Sequence, residues 1–256
     1  MANNDGVNAI MRAFSVLDLL FQSSEPMGIS NIAAELKLPK ASVFRILNTL
    51  AQCKAVHRDS NDHYSLGIIF LRYAEHVKSN ISLLSLASPI LSKLRDATGE
   101  TTNLGVLFDN FVLNIQTMPG DSFIITSRTL PLAPLHCSAM GKIFLSYMQN
   151  EEIEAYFEKP YPKRTINTIT TVDEFYLERN RIVSAAISHD REEYEYGLYC
   201  IGAPIFSQTQ APVAAISITG PTSRMSIKGI DQLSSQIAQA AAQLTALVIE
   251  TNVDLF

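Results

Sequence analysis

Apolar and polar residues alternate with helical period through the first fifty positions. From Asn8 to Gln22 the run NAIMRAFSVLDLLFQ places Ile10, Phe14, Leu17 and Leu20 or Phe21 on one side, which predicts an amphipathic helix. After the loop SSEPMG, Ser30 is expected to cap a short helix in which Ile32, Ala33 and Leu36 mark the buried face. Leu38-Pro39 interrupts this run, because proline disfavours helical geometry at the preceding residue. A new helix is expected to resume at about Lys40. There Val43, Ile46, Leu47 and Leu50 recur at helical spacing, and Ala41, Ser42, Phe44, Arg45, Asn48, Thr49 and Gln52 fall on the opposite face. Short polar side chains with one arginine suit a helix entering the DNA major groove, where they can reach base edges and phosphates. An ordinary helical hairpin with a solvated outer face would show the same pattern. The stretch Ala55–Leu66 then alternates around the polar turn Asp59-Ser60-Asn61-Asp62, which predicts a two-stranded hairpin. Three helices followed by a hairpin is the order of a winged helix-turn-helix, with Arg58, Asn61 and His63 at the wing.

Beyond this point the period changes repeatedly. Gly67–Asn80 reads as a helix with Phe70, Tyr73 and Val77 on one face, and Ile81–Thr98 as another that stops at Gly99. Strands are predicted over Thr101–Phe108 and Phe111–Thr117, joined by the turn pair Asp109-Asn110. A third is expected over Phe123–Ser127, then helices over Leu135–Gln149 and Val172–Ser188. Strands return over Tyr196–Phe206 and Val213–Thr219, and Gly229–Glu250 closes the chain with a long helix. Antiparallel hairpins with segregated helices indicate an α+β sheet domain. The chain therefore reads as a mixed two-domain α/β protein. Its N-terminal domain is an all-α winged helix-turn-helix over 1–66, followed by a linker helix over 67–80 and an α+β domain over 81–256.

Composition narrows the classes. At 256 residues the chain is comfortable for two domains, and 47% apolar with 18% charged residues describes a globular protein. No apolar run reaches the roughly 18–20 residues of a membrane span, so no membrane partner is expected. The segment MANNDGVNAIMRAF lacks a basic stretch followed by an apolar core, so no signal peptide is expected. Cys53, Cys137 and Cys200 form an odd, sparse set that favours a reducing compartment, and cytoplasm is the default expectation. Net charge is −5, distributed unevenly. Through Asn80 there are 8 basic and 7 acidic residues (+1), leaving 12 and 18 (−6) in the remainder. A module at +1 gains DNA affinity from being doubled in a dimer.

Two stretches suggest a ligand. Pro134 to Lys142 is rich in small residues where a helix begins, and free amides at a helix N-terminus attract anions. Ala215, Ser217 and Thr219 share one face of a predicted strand, so two hydroxyls can line a pocket or bond silently to backbone.

The segment LPKASVFRILNTLAQCKAVHRDSNDHYSLG resembles the DNA-binding module of the IclR family of bacterial transcriptional regulators. The match is carried by Leu38-Pro39-Lys40, Phe44-Arg45-Ile46-Leu47 and Tyr64-Ser65-Leu66-Gly67. Lys54 stands where the family commonly has glycine, so a differently turned helix end is expected. Further on, Ala186, Asp190, Glu193 and Cys200 precede Ile201-Gly202-Ala203-Pro204 at the spacing of the family's GAF-like effector domain. The resemblance implies DNA contacts from Lys40, Ser42, Phe44, Arg45, Asn48, Thr49, Arg58, Asn61, His63, Tyr64 and Arg12. It implies effector contacts at Ala139, Met140, Asp190, Cys200, Ser217 and Thr219, with Met140 bulkier than the small residue often found there. Helix amides, Ser217 and Thr219 would serve a carboxylate or carbonyl, and Asp190 a hydroxyl or neutral end. The implied protein is a ligand-responsive regulator, not an enzyme. Its partners are operator DNA and a small-molecule effector, and it assembles as a homodimer or dimer of dimers with no cofactor.

Three rival readings use the same residues. Cys200 with His136 or His189 and Asp190 would form a nucleophile, base and orienter, making the second domain a cysteine-dependent enzyme. His136, Cys137, Asp190 and Cys200 would suit zinc by softness, though not by motif spacing. A metabolite-binding module whose helical part does not bind DNA is the third.

Overall fold

The computed structural model describes residues 5–121 and 132–252. It divides into two compact units, Met1–Asn80 and Ile81–Phe256. The first contains α1 (Asp5–Gln22), β1 (Met27–Gly28), α2 (Ile29–Glu35), α3 (Lys40–Gln52), β2 (Val56–Arg58), β3 (His63–Leu66) and α4 (Ile69–Ser79). Its core gathers Val16, Leu20, Ile32, Ala33, Val43, Leu47, Val56 and Tyr64. Val43 and Leu47 are completely buried, each contributing about 1.5–3 kcal/mol relative to exposure, and they fix which side of α3 faces inward.

Several local expectations need correction. The buried positions of α1 are Val16 and Leu20, whereas Ile10, Phe14 and Phe21 are exposed. Val16 and Leu20 stand one turn apart in the core, and Leu17, as expected, and Leu19 pack against it half-buried. Gly28, not Ser30, is the N-cap of α2, and it makes no side-chain cap bond. The wing also gains a third strand beyond the expected hairpin: Met27 pairs with Tyr64, giving the order β1-β3-β2. Lys54 adopts φ +58 after α3, taking the left-handed turn that glycine would take without penalty.

The second unit contains α5 (Ser82–Thr98), β4 (Thr101–Phe108), β5 (Phe111–Met118), β6 (Leu132–Pro134), α6 (Ala139–Ser146), α7 (Asn150–Phe157), α8 (Val172–Ala185), β7 (Ser188–Arg191), β8 (Leu198–Phe206), β9 (Pro212–Pro221), α9 (Thr222–Lys228) and α10 (Ile230–Thr251). The strands form one antiparallel sheet in the order β6-β5-β4-β9-β8-β7. Alternation assigns its faces. Leu104, Ile201, Ile216 and Ile218 join Leu91 of α5 and Ile237 and Leu244 of α10 in one core. On the other face Ala215 packs with Ile143 and Phe144 of α6, Ile153 of α7 and Phe175 of α8.

Predicted boundaries fail where capping overrides periodicity. The helix expected over 135–149 begins at Ala139, because Ser138 is extended and its hydroxyl accepts from the Gly141 amide at 3.1 Å. The helix expected to run through Ser188 ends at Ala185, where Ala186 turns left-handed with φ +51, and Ser188 opens β7. The strand expected over 123–127 lies outside the described residues.

Candidate functional site

Two sites emerge, one in each unit. In the first, α3 turns its polar face outward: Lys40, Phe44, Arg45, Asn48 and Thr49 are exposed and Ser42 is half-buried. The Thr49 hydroxyl donates to the Arg45 carbonyl at 3.0 Å, and its oxygen remains open as an acceptor. Arg12 on α1 is exposed as well. The wing turn is built by Asp59, whose Oδ1 accepts from the Asn61 and His63 amides, both at 2.9 Å. Those bonds, that from His63 foremost, hold its carboxyl below the usual range. The turn presents Asn61 and leaves Arg58 exposed beside Asp62, 2.7 Å away. His63 is half-exposed. Tyr64 leaves the candidate set. At 1% exposure it lies in the core, because strand alternation that turns His63 outward must turn Tyr64 in.

In the second unit the six implied effector positions meet on one face of the sheet beneath α6. Register pairs Asp190 with Cys200, Cys200 with Thr219 and Gly202 with Ser217. Ala139 packs against Leu198 and Cys200. The close seating of α6 has a specific cause: a Cβ at Gly202 would lie 2.9 Å from the Ala139 carbonyl carbon. Met140 lies over Gly105, its Sδ and Cε each 3.2 Å from where a Cβ would stand. Thr219 and Ser217 do not bond silently to backbone. Both accept from Asn103 Nδ2 on β4, at 3.3 and 3.1 Å, and Thr219 donates to Cys200 Sγ at 3.4 Å. Sequence reasoning misses Asn103, although Thr101 and Asn103 alternate with Leu104 and Val106 as a strand with one polar face would require.

The electrostatics of this face depend on burial. Asp190 Oδ1 accepts from the Glu193 and Tyr194 amides at 2.7 and 3.2 Å, so one carboxyl oxygen holds the turn instead of standing free. Burial, reinforced by Glu193, pushes Asp190 up to about 7. Beside it Lys142 is completely buried, a charge that no sequence pattern singles out. Its ammonium donates to Glu193 Oε1 at 2.5 Å and to the His189 carbonyl at 2.6 Å, and lies 3.5 Å from Glu178. The Ser138 cap already occupies the Gly141 amide, which leaves fewer helix-end donors than the small-residue stretch suggests.

The groups that the rival chemistries would use are engaged by other partners. His189 points to the opposite sheet face from Cys200, and its Nδ1 bonds the Tyr199 hydroxyl at 3.2 Å. His136 Nδ1 is 2.9 Å from the Tyr156 hydroxyl, and burial lowers the imidazole to about 4. Burial raises the Cys200 thiol well above its ordinary value and pushes Cys137 up to about 12, which disfavours the thiolate at both positions. Among the described residues no three of His, Cys, Asp and Glu cluster to hold a metal ion. No helix of the described residues is long and apolar enough to cross a membrane.

Comparison with known proteins connects the two sites. Residues 9–60 match the IclR helix-turn-helix domain, and residues 75–246 match the family model described as bacterial transcriptional regulator IclR C-terminal. The HTH-type transcriptional regulator KdgR of Escherichia coli K12 is 26% identical over 247 residues, covering 94% of this chain and 93% of that protein. The acetate operon repressor of Salmonella typhimurium is 27% identical, covering 93% and 89%. Among solved structures, an IclR-type regulator from Alicyclobacillus acidocaldarius superposes with a TM-score of 0.82 at 22% identity, covering 93% and 98%. An IclR homologue from Microbacterium hydrocarbonoxydans, solved with 4-hydroxybenzoate, gives a TM-score of 0.76 at 20% identity, covering 93% and 98%.

Proposed function

The chain belongs to the IclR family of bacterial transcriptional regulators, a DNA-binding helix-turn-helix joined to an effector-binding domain. From that premise we propose that α3 reads an operator major groove through Lys40, Ser42, Phe44, Arg45, Asn48 and Thr49. Arg12 and the wing residues Arg58, Asn61 and His63 contact the neighbouring backbone. The observation that carries this reading is the division of α3: Val43 and Leu47 are fully buried, while Lys40, Arg45 and Asn48 stand in solvent. We further propose that Ala139, Met140, Asp190, Cys200, Ser217 and Thr219 surround a small organic effector bearing a carboxylate or carbonyl end. Bound 4-hydroxybenzoate in a relative of the same fold supports an acidic ligand class of this size.

The protein acts as a cytoplasmic homodimer or dimer of dimers and catalyses no reaction. Exposed apolar residues on α1 (Ile10, Met11, Phe14) and on the helix α4 and its approach (Ile68, Leu71, Tyr73, Val77) support self-association, since monomers rarely leave such surface uncovered. Two copies set α3 helices about 34 Å apart, one DNA turn. Effector binding shifts the balance between arrangements that do and do not match that spacing.

Selection of genomic fragments by the purified full chain tests this. Wild type enriches discrete sites, and a small-acid panel changes their occupancy. A Lys40→Ala/Arg45→Ala protein enriches none. Equal enrichment by the double variant would remove α3 from the DNA interface.

A further inference from the structure

Five neighbouring strands each place a polar side chain on the effector-site face, and their hydrogen bonds run in one direction. Thr117 on β5 donates through Oγ1 to Asn103 Oδ1 on β4 at 2.9 Å. Asn103 Nδ2 donates to Ser217 Oγ and Thr219 Oγ1 on β9. Thr219 donates to Cys200 Sγ on β8, and that thiol faces the Asp190 carboxyl on β7. Sheet register sets up the chain, because Asn103 pairs with both Thr117 and Ser217, while Cys200 pairs with both Thr219 and Asp190.

A hydroxyl has one proton to give and two lone pairs to receive. Thr219 uses its proton on Cys200 and receives from Asn103. Ser217 also receives from Asn103, but its own proton has no acceptor among the described residues. Asn103 is buried, so an unmatched amide orientation there carries the desolvation cost of a lost bond. Were the amide turned over, Oδ1 would face both hydroxyls and withdraw the Ser217 proton from the site. Thr117 would then meet an N–H where it now meets an oxygen.

Resting on the reading of this face as the effector site, we propose that Asn103 is its specificity-determining residue. Held by Thr117, its amide occupies one lone pair of Ser217 and turns that hydroxyl's proton toward the effector, so the site favours an effector end that presents an acceptor oxygen over one that presents an ammonium. Asn103 acts through Ser217, and Thr117 acts through Asn103.

The test is titration calorimetry with acetate, propionate and benzoate against ethylamine, propylamine and benzylamine, at a pH where each is charged. Wild type binds at least one carboxylate at least tenfold more tightly than its matching amine. Thr117→Val, which leaves Ser217 untouched, weakens that carboxylate about tenfold without lowering the melting temperature of the free protein. Asn103→Asp presents only acceptors to both hydroxyls, so the carboxylate is lost and the amine gains. Should Asn103→Asp not fold, Asn103→Ser, too short to bridge both hydroxyls, narrows the carboxylate-to-amine ratio at least tenfold. A purely structural role would weaken both classes alike. An unchanged ratio in the folded variants overturns the proposal, as does a wild type that binds amines equally or binds none of the three carboxylates. Failure of the underlying reading looks different: Ser217→Ala/Thr219→Ala would then bind the carboxylate like wild type.

Discussion

Lys142 and Glu193 form a buried ion pair, Nζ to Oε1 at 2.5 Å, which fastens the first half of α6 to the turn after β7. Glu178 on α8 and Arg191 on β7 extend the pair outward, with 3.2 Å between Arg191 and Glu178. The Glu193 amide is also the donor that engages Asp190. One ammonium thus holds three of the elements that border the proposed effector face.

Replacing Lys142 by Met is expected to cost about 3–5 kcal/mol, because it strands Glu193 and Glu178 without their buried counter-charge. Glu193 already lies above the usual carboxylate range through burial, so it would take up a proton in the variant. Adding Glu193→Gln should return part of the loss. Urea unfolding of the full chain measures both, and a Lys142→Met loss below about 1 kcal/mol would show that the pair does not hold the turn.

Asp190 gives a pH signature of definite sign. Its folded value of about 7 lies above an ordinary value near 4. Below pH 4 both states hold the proton. Between about 4 and 7 the unfolded chain ionises first, so stability from this group falls as pH rises and levels off above 7. His136 and His189, both lowered to about 4, act oppositely: their contribution is lost as pH falls from about 6.5 towards 4. Asp190→Asn should therefore lift melting temperatures above pH 6 relative to pH 4, and His136→Phe should protect the acid side. An Asp190→Asn profile parallel to wild type would contradict the assignment.

At the end of α3 two neighbouring residues predict opposite effects. Lys54 holds a left-handed conformation that costs a side-chain-bearing residue about 1–2 kcal/mol, so Lys54→Gly should stabilise the fold by up to about 1 kcal/mol after the added chain entropy. Gly67 lies so close that a Cβ would overlap the Lys54 carbonyl oxygen. Gly67→Ala must separate those backbones, at about 3 kcal/mol. Thermal unfolding of the two variants should diverge, and a tolerated Gly67→Ala would mean that the wing can shift.

The same residues show what the sequence can and cannot disclose. Val43 and Leu47, four apart beside Arg45 and Asn48, reveal both the core and the solvent side of α3, because local periodicity alone decides them. The Asp109-Asn110 turn likewise sets β4 and β5, whose ends at Phe108 and Phe111 stand where predicted. Tyr64 is misplaced by a motif match, which carries no information about which way a strand residue points. Asn103 and Lys142 are invisible for a different reason. Their partners are 114 and 51 residues away, and only the β4–β9 register and the β7 turn bring them together. Ser138 shortens its helix through one hydroxyl, a signal present in the sequence but outweighed by the apolar run after it.

The DNA interface should separate into charge and base readout. Arg45 and Lys40 are exposed, and each phosphate no longer neutralised lowers the slope of log affinity against log salt by about 0.9. Arg45→Ala in both copies of a dimer should therefore flatten that slope by nearly two while weakening all sequences alike. Asn48 carries no charge, so Asn48→Ala should leave the slope unchanged and cost about 1–3 kcal/mol only at sites whose base it reads. Phe44 is 46% exposed at the same surface, where an aromatic edge suits a thymine methyl group, and Phe44→Ala should relax preference at one position. Fluorescence anisotropy across a salt series, on a selected site and its single-base variants, resolves the two classes. A salt slope indifferent to Arg45 would place this guanidinium off the phosphate backbone.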